Sequence, residues 1–185
     1  MLKFEQPDME IRRLGHEDIA DLVALMTDVT SRLPSKDHFA SDNETYYHTY
    51  VLEDGEIHGA YLRGQFVAYT VLTFPKMRPG NLGREFGVAE EDLHEVACLE
   101  GTVVHESARG LGLQRYFLRL REQRARENGC RYVYATVHPD NHASVKNLES
   151  EGFVRRFTRP MYGGKLRHCY AKQLRQPGEE SEASG

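Results

Sequence analysis

The stretch richest in chemical possibility runs from Leu99 to Gln114 and passes from a β-branched run through a glycine-bearing turn into an amphipathic segment. Val103 and Val104 favour a strand. Gly110 and Gly112 let the backbone turn and approach a ligand closely, and Leu113, Tyr116, Phe117 and Leu120 then recur at helical spacing. A helix therefore opens at the glycines. Its first N–H groups have no partner inside the helix, and with the helix dipole they form a site for an anion such as a pyrophosphate. The turn differs from the commoner phosphate loops. Leu113 and Gln114 stand where a nucleoside-triphosphate loop needs Lys and Ser or Thr, and only two of the three glycines of a dinucleotide fingerprint are present. His105-Glu106-Ser107-Ala108-Arg109 lacks the second His of a zinc-protease helix, and no G-x-S-x-G nucleophile elbow occurs.

A second patterned segment follows downstream, Asn141-His142-Ala143-Ser144, then a helical run through Leu148, then Gly152-Phe153. Arg109-Gly110-Leu111-Gly112-Leu113-Gln114 and this segment, in this order and at this distance, resemble the two signature motifs of the GNAT superfamily of N-acyltransferases. The resemblance spans roughly Met9 to Leu174. The family's first motif has a small residue where Gln114 stands, and its second has a tyrosine, seven residues after the Asn, where this chain has Leu148.

The resemblance implies acetyl-CoA as cosubstrate, with no metal, and direct transfer of the acetyl group to a primary amine in a ternary complex. It implies that Arg109 and the backbone of Gly110, Leu111, Gly112, Leu113 and Gln114 hold the pyrophosphate. Thr102, Val103 and Val104 then meet the pantetheine arm and the carbonyl oxygen, with Asn141 and Ser144 beside them. Acyl transfer to an amine needs a proton acceptor, because an alkyl ammonium with a pKa near 10.4 is seldom neutral at pH 7. Glu100, four residues before Val104, matches the position from which several amine-acetylating relatives project a glutamate, and is the candidate general base. Leu148 leaves the general acid open among Tyr134, Tyr162 and water, or the thiolate leaves unassisted. The region between the first two helices encloses the acceptor in the superfamily, making Tyr46, Tyr47 and His38 candidate acceptor contacts. Alternation along the strand puts Cys98, Glu100, Thr102 and Val104 on one face unless a bulge intervenes. Cys98 as a covalent acyl carrier is disfavoured, since no adjacent His would make it a thiolate.

These residues need a scaffold. Met9 to Leu14 predicts a first strand, and Ile19, Leu22, Val23, Leu25 and Met26 a helix that ends before Pro34. Asn43-Glu44 opens a second helix carrying Tyr46, Tyr47, Tyr50 and Val51. Ile57 to Leu62 and Gln65 to Phe74 form a hairpin across Arg63-Gly64. Residues 75–95 are rich in breakers, with one helical turn near Ala89 to Leu93, and read as a lid, a specificity loop or an insertion. Val96 to His105 is a strand, Leu113 to Asn128 a helix stopped by Gly129 with a solvent-side Glu122/Arg126 pair, and Arg131 to Val137 a strand parallel to the previous one. A helix from about Asn141 to Glu151 and two strands, Phe153 to Met161 and Leu166 to Leu174, complete a single-domain α/β (α+β) fold over residues 1–174. Its sheet is mixed, mostly antiparallel and flanked by helices, with the parallel pair at the acetyl-CoA site. Residues 175–185 read as a disordered polar tail.

Composition sets outer bounds. One domain suits 185 residues. A net charge of −4 with mixed signs offers no basic stripe for nucleic acid and no basic amphipathic segment for a membrane. Cys98, Cys130 and Cys169 are odd in number, widely spaced and without a C-x-x-C pair, so they suggest reduced thiols. With no apolar leader pattern or spanning run, the expectation is a cytoplasmic enzyme that acts on a small amine such as an amino acid, polyamine or amino metabolite, with a homodimer as a candidate assembly. A non-catalytic acyl-CoA-binding module, or a transferase for protein N-termini or lysines, is the alternative.

Overall fold

The structure, a computed structural model, describes residues 2–39 and 41–174 of the 185. The expected tail of residues 175–185 lies outside the described residues. Seven strands form one sheet in the order β1-β2-β3-β4-β5-β7-β6. They are β1 (Met9–Arg13), β2 (Gly55–Leu62), β3 (Gln65–Thr73), β4 (Val96–Val104), β5 (Tyr132–Val137), β6 (Val154–Met161) and β7 (Lys165–Gln173). All neighbours are antiparallel except β4 and β5, which α3 (Leu113–Glu127) connects, as a helical crossover requires. The β2–β3 turn falls at Arg63 and Gly64, both with positive φ, a geometry that matches the twist of a two-residue hairpin.

The sheet buries both faces. On one, α3 and α4 (His142–Ser150) cover Leu72, Ala97, Leu99, Val133 and Val137. On the other, α1 (Ile19–Thr30) packs on Ile57, Tyr69, Val71 and Val103. Residues 75–95 fold as two 3₁₀ turns, Leu82–Phe86 and Glu90–Glu95, whose Leu82, Val88 and Leu93 seal the sheet beside Tyr134 and Cys169. That segment is therefore a packed layer of the core, with more regular structure than the single turn expected.

Three further expectations change. The second helix is a single α turn, α2 (Glu44–Tyr46), continued by a π-helical turn over Tyr47–Val51. Such wide turns tend to occur at functional positions. Glu122 is not on a solvent face: it is 4% exposed, bonded by Lys172 Nζ at 2.9 Å and by Arg126 at 3.3 Å. Finally, β4 carries a bulge. Thr70 pairs with Thr102 but Leu72 pairs with Leu99, so Glu100 and Gly101 together oppose Val71.

Candidate active site

The bulge reverses the alternation of β4, so the common face expected for Cys98, Glu100, Thr102 and Val104 does not form. Cys98 and Glu100 face the α1 side, where Glu100 meets Thr73 and Tyr46. Thr102 and Val104 turn to the α3 side, Thr102 Oγ1 lying 2.6 Å from Thr70 Oγ1. Two contacts hold the bulge in place. Arg121 of α3, which falls on the buried stripe with Phe117 and Ala125, sends its guanidinium to the carbonyls of Glu100 at 2.7 Å and Val71 at 3.3 Å. Gly101 packs under Phe39, where an added Cβ would sit 3.0 Å from the ring.

The bulge also marks where β4 and β5 part. They pair only from Val96 to Cys98 with Tyr132 to Tyr134, and beyond that β5 pairs with β7 alone. A wedge opens between the two strands, into which backbone groups of both can point without a sheet partner. A cavity of about 560 Å³ fills this wedge and connects the two faces of the sheet. At one end lie Gln114, Asn141, Ser144 and Leu148, and at the other His38, Asp42, Tyr46, Tyr162 and Arg167, with Glu100 between them.

The Glu100 carboxylate is held at both oxygens. Tyr46 donates its hydroxyl to Oε2 at 2.8 Å and Thr73 donates to Oε1 at 2.8 Å. Burial raises its pKa above the usual carboxylate value, and the two hydroxyls only partly offset this. Asp42, on the same wall, is pushed up to about 6 by burial and by the charge of Glu100. Tyr162 Oη lies 3.0 Å from Thr136 Oγ1, and burial pushes it up to about 12, while burial and Cys98 push Tyr134 further. Both phenols hold their protons at neutral pH. Burial likewise raises the Cys98 thiol, so no thiolate is present for covalent catalysis.

Other expected residues lie elsewhere. Tyr47, 2% exposed, points its hydroxyl at Met26 and Tyr69 in the α1 core and does not line the cavity. Val103 and Val104 are buried and paired with Tyr69 and Ala68, and the cavity is bounded instead by Cys98 to Thr102. Arg109, Gly110, Leu111, Gly112 and Leu113 lie outside the cavity lining, while Gln114 belongs to it. Gly112 caps α3 with φ 83 and no side-chain cap, leaving the first N–H groups of the helix open. Arg109 is exposed and stands 3.4 Å from Glu106. Asn141 caps α4 by accepting from the Ser144 N–H, which leaves its amide nitrogen free to donate.

Sequence reading missed Asp42, Thr73, Arg121, His138 and Arg167. Two of these had a visible signal: Arg121 interrupts an apolar helix stripe, and Arg167 takes the inward position ahead of Cys169 and Ala171 on β7. His38, His138 and Asp140 bring ligand atoms within 4.8 Å of one another at the cavity edge. That spread exceeds the roughly 3.4 Å between ligands bonded at 2.0–2.1 Å in a tetrahedron. His138 Nδ1 is also engaged by the Asp140 N–H, so the group is a loose donor set.

Residues 21–153 match the Acetyltransferase (GNAT) family. The chain belongs to that family. Solved structures agree on the fold. An N-acetyltransferase from Staphylococcus aureus is 18% identical, with TM-score 0.69 over 90% of this chain and 99% of that one. A Salmonella typhimurium protein described as an acetyltransferase, solved with its cofactor acetyl-CoA, is 17% identical, with TM-score 0.67 over 92% and 96%. The ribosomal-protein-alanine N-acetyltransferase from Brucella melitensis is 22% identical, with TM-score 0.67 over 89% and 99%. No curated protein sequence matches the chain significantly. Among the described residues no helix of this GNAT acetyltransferase is long and apolar enough to cross a membrane.

Proposed function

We propose that this GNAT acetyltransferase acetylates a primary amine of a small molecule, by direct attack of the amine on acetyl-CoA within the cavity between β4 and β5. Coenzyme A fits the side carrying α3 and α4. The open N–H groups at Gly112 to Gln114 suit its pyrophosphate, and the unpaired backbone of the wedge suits the two amides of its pantetheine arm, with the Asn141 amide as a further donor. The acceptor enters from the opposite side, facing Tyr46, His38 and Glu100.

Glu100 accepts the proton of the ammonium, directly or through the Tyr46 hydroxyl. The freed nitrogen attacks the thioester carbon, the C–S bond breaks as the C–N bond forms, and the thiolate departs. Its own pKa near 8.5 makes it a tolerable leaving group. Tyr134 and Tyr162, both protonated, line the cavity as hydrogen-bond donors toward it. The raised pKa of Glu100 suits this role, because a base works best when its pKa approaches the working pH.

The observation that carries the small-molecule reading is the set of bonds bridging the acceptor end. Lys165 Nζ donates to the carbonyls of Lys36 at 3.2 Å and Phe39 at 3.0 Å, and Arg167 donates to Asp37 O at 2.7 Å. These contacts tie the β6–β7 hairpin across to residues 36–39, an arrangement that disfavours threading of a polypeptide at this end. Thiol release from acetyl-CoA, measured against a panel of small amines and a panel of N-terminal and lysine peptides, tests it. Turnover should concentrate among the small amines. Faster turnover of peptides would favour a protein acetyltransferase, and tight acetyl-CoA binding without release on either panel would favour a binding module.

A further inference from the structure

The acceptor end of the cavity carries charged groups of both signs. On β7, Arg167 is 3% exposed yet lines the cavity. Its guanidinium donates to two backbone carbonyls, Leu166 O at 2.8 Å and Asp37 O at 2.7 Å. Those carbonyls satisfy hydrogen bonds but not charge, and no carboxylate among the described residues forms an ion pair with it. Burial lowers its pKa, and the charges of Tyr162 and of the Asp37 carboxylate offset this only in part. The Tyr162 ring, 5.9 Å from the guanidinium carbon, flanks it.

The Glu100 and Asp42 carboxylates line the same cavity; the charge of buried Arg121 acts on Glu100, but that guanidinium is spent on backbone carbonyls, and among the described residues no cationic side chain forms an ion pair with either carboxylate. Glu100 is bonded by hydroxyls alone at its carboxylate oxygens. A buried charge is tolerated when a partner completes it. Here the complementary partner carries a cation for one wall and an anion for the other. A guanidinium also offers a planar fork of N–H groups that matches a carboxylate better than a single lone pair.

Resting on the acetyl-transfer reading above, we propose that the acceptor is a zwitterion of the amino-acid type, its carboxylate held by Arg167 and its ammonium directed at Glu100 and Asp42. Arg167 is then the residue that sets specificity. A polyamine would place a second cation beside the buried guanidinium, and an internal peptide amine would bring no carboxylate to it.

Matched acceptors test this on the unaltered enzyme. For several amino acids, kcat/KM is compared with that of the α-amide and of the decarboxylated amine, which keep the amine and lose the anion. The free acids should exceed both by roughly ten- to hundredfold, the scale of a hydrogen bond to a charged group. In Arg167→Gln this preference should collapse toward one, and in Arg167→Lys, which keeps the charge without the fork, it should fall between. Acetyl-CoA affinity measured by calorimetry checks that the variants are folded. Equal turnover of acid, amide and amine by the unaltered enzyme would overturn the zwitterion while leaving acetyl transfer intact. A preference that survives in Arg167→Gln would overturn the role of Arg167. Release of no thiol with any amine would remove both this proposal and the reading beneath it.

Discussion

Glu100 is held between two opposing effects: burial disfavours its charge, while Tyr46 and Thr73 donate hydrogen bonds that favour it. Its raised pKa fixes the sign of the pH dependence. As pH falls through that value Glu100 takes up a proton and can accept none from the substrate, so activity is lost at a higher pH than an exposed glutamate would give. Tyr46→Phe removes one stabilising donor, and the acid limb of the kcat/KM profile should move to still higher pH. Glu100→Gln should lower kcat/KM for the acceptor by ~10²–10⁴ near pH 7. That deficit should shrink as pH approaches the amine's own pKa. A deficit that does not change with pH would mean that Glu100 holds the acceptor and does not take its proton. Leu148 belongs to the same scale. It is 6% exposed, packed with Leu118 and Phe153, and it also lines the cavity. Leu148→Ala should cost about 2–5 kcal/mol in a denaturation measurement. Unchanged stability would place the side chain outside the core.

At the scale of elements, α3 does two jobs, one at its N-terminus and one at its middle. Its N-terminus presents open N–H groups, and a β-branched side chain at Gly112, where φ is 83, would strain the turn and crowd a bound pyrophosphate. Gly112→Val should therefore weaken acetyl-CoA binding at least tenfold, about 1.4 kcal/mol, in calorimetry. Equal affinity would detach the pyrophosphate from this turn. Two turns on, Arg121 reaches through to the β4 bulge. Arg121→Met would remove the guanidinium that donates to the carbonyls of Glu100 and Val71, and stability should fall by about 1–3 kcal/mol. The order of strands and helices, the parallel β4–β5 crossover and the glycine stop of α3 were legible in the sequence because each has a local cause in periodicity or turn chemistry. The bulge was not. It depends on Arg121 and Phe39, far apart in the chain, meeting at Glu100 and Gly101. Tyr47 departs from its expected place for a similar reason: Tyr46, at the end of α2, is the one aimed at Glu100, and Tyr47, which opens the π turn, goes to the core. The inward place of Arg167 on β7 has a trace in the sequence, but its place in the cavity does not, because it depends on the pairing of β7 with β5.

For the whole molecule, the pairing of buried Glu56 with Arg124 makes stability depend on pH. Glu56 is buried, which pushes its pKa up, but the hydrogen bonds and charge of Arg124 outweigh burial and hold it below the usual value of 4.5. Its stabilisation is present above that unfolded value and is lost as pH falls through the lower folded one. Glu56→Gln should thus be less stable than the unaltered chain at pH 7 in urea denaturation, and the gap should narrow below about pH 4.5. A gap independent of pH would assign Glu56 a role other than its charge.

Under the proposed direct transfer both substrates meet in the cavity between β4 and β5, with Glu100 as the base and the burial-raised Cys98 thiol unsuited to carry the acetyl group. Initial rates of thiol release, with acetyl-CoA and a small amine varied together, test this most directly. Intersecting double-reciprocal lines, with no acetyl group retained on the protein after incubation with acetyl-CoA alone, are the predicted result. Parallel lines with an acetylated protein intermediate would contradict direct transfer.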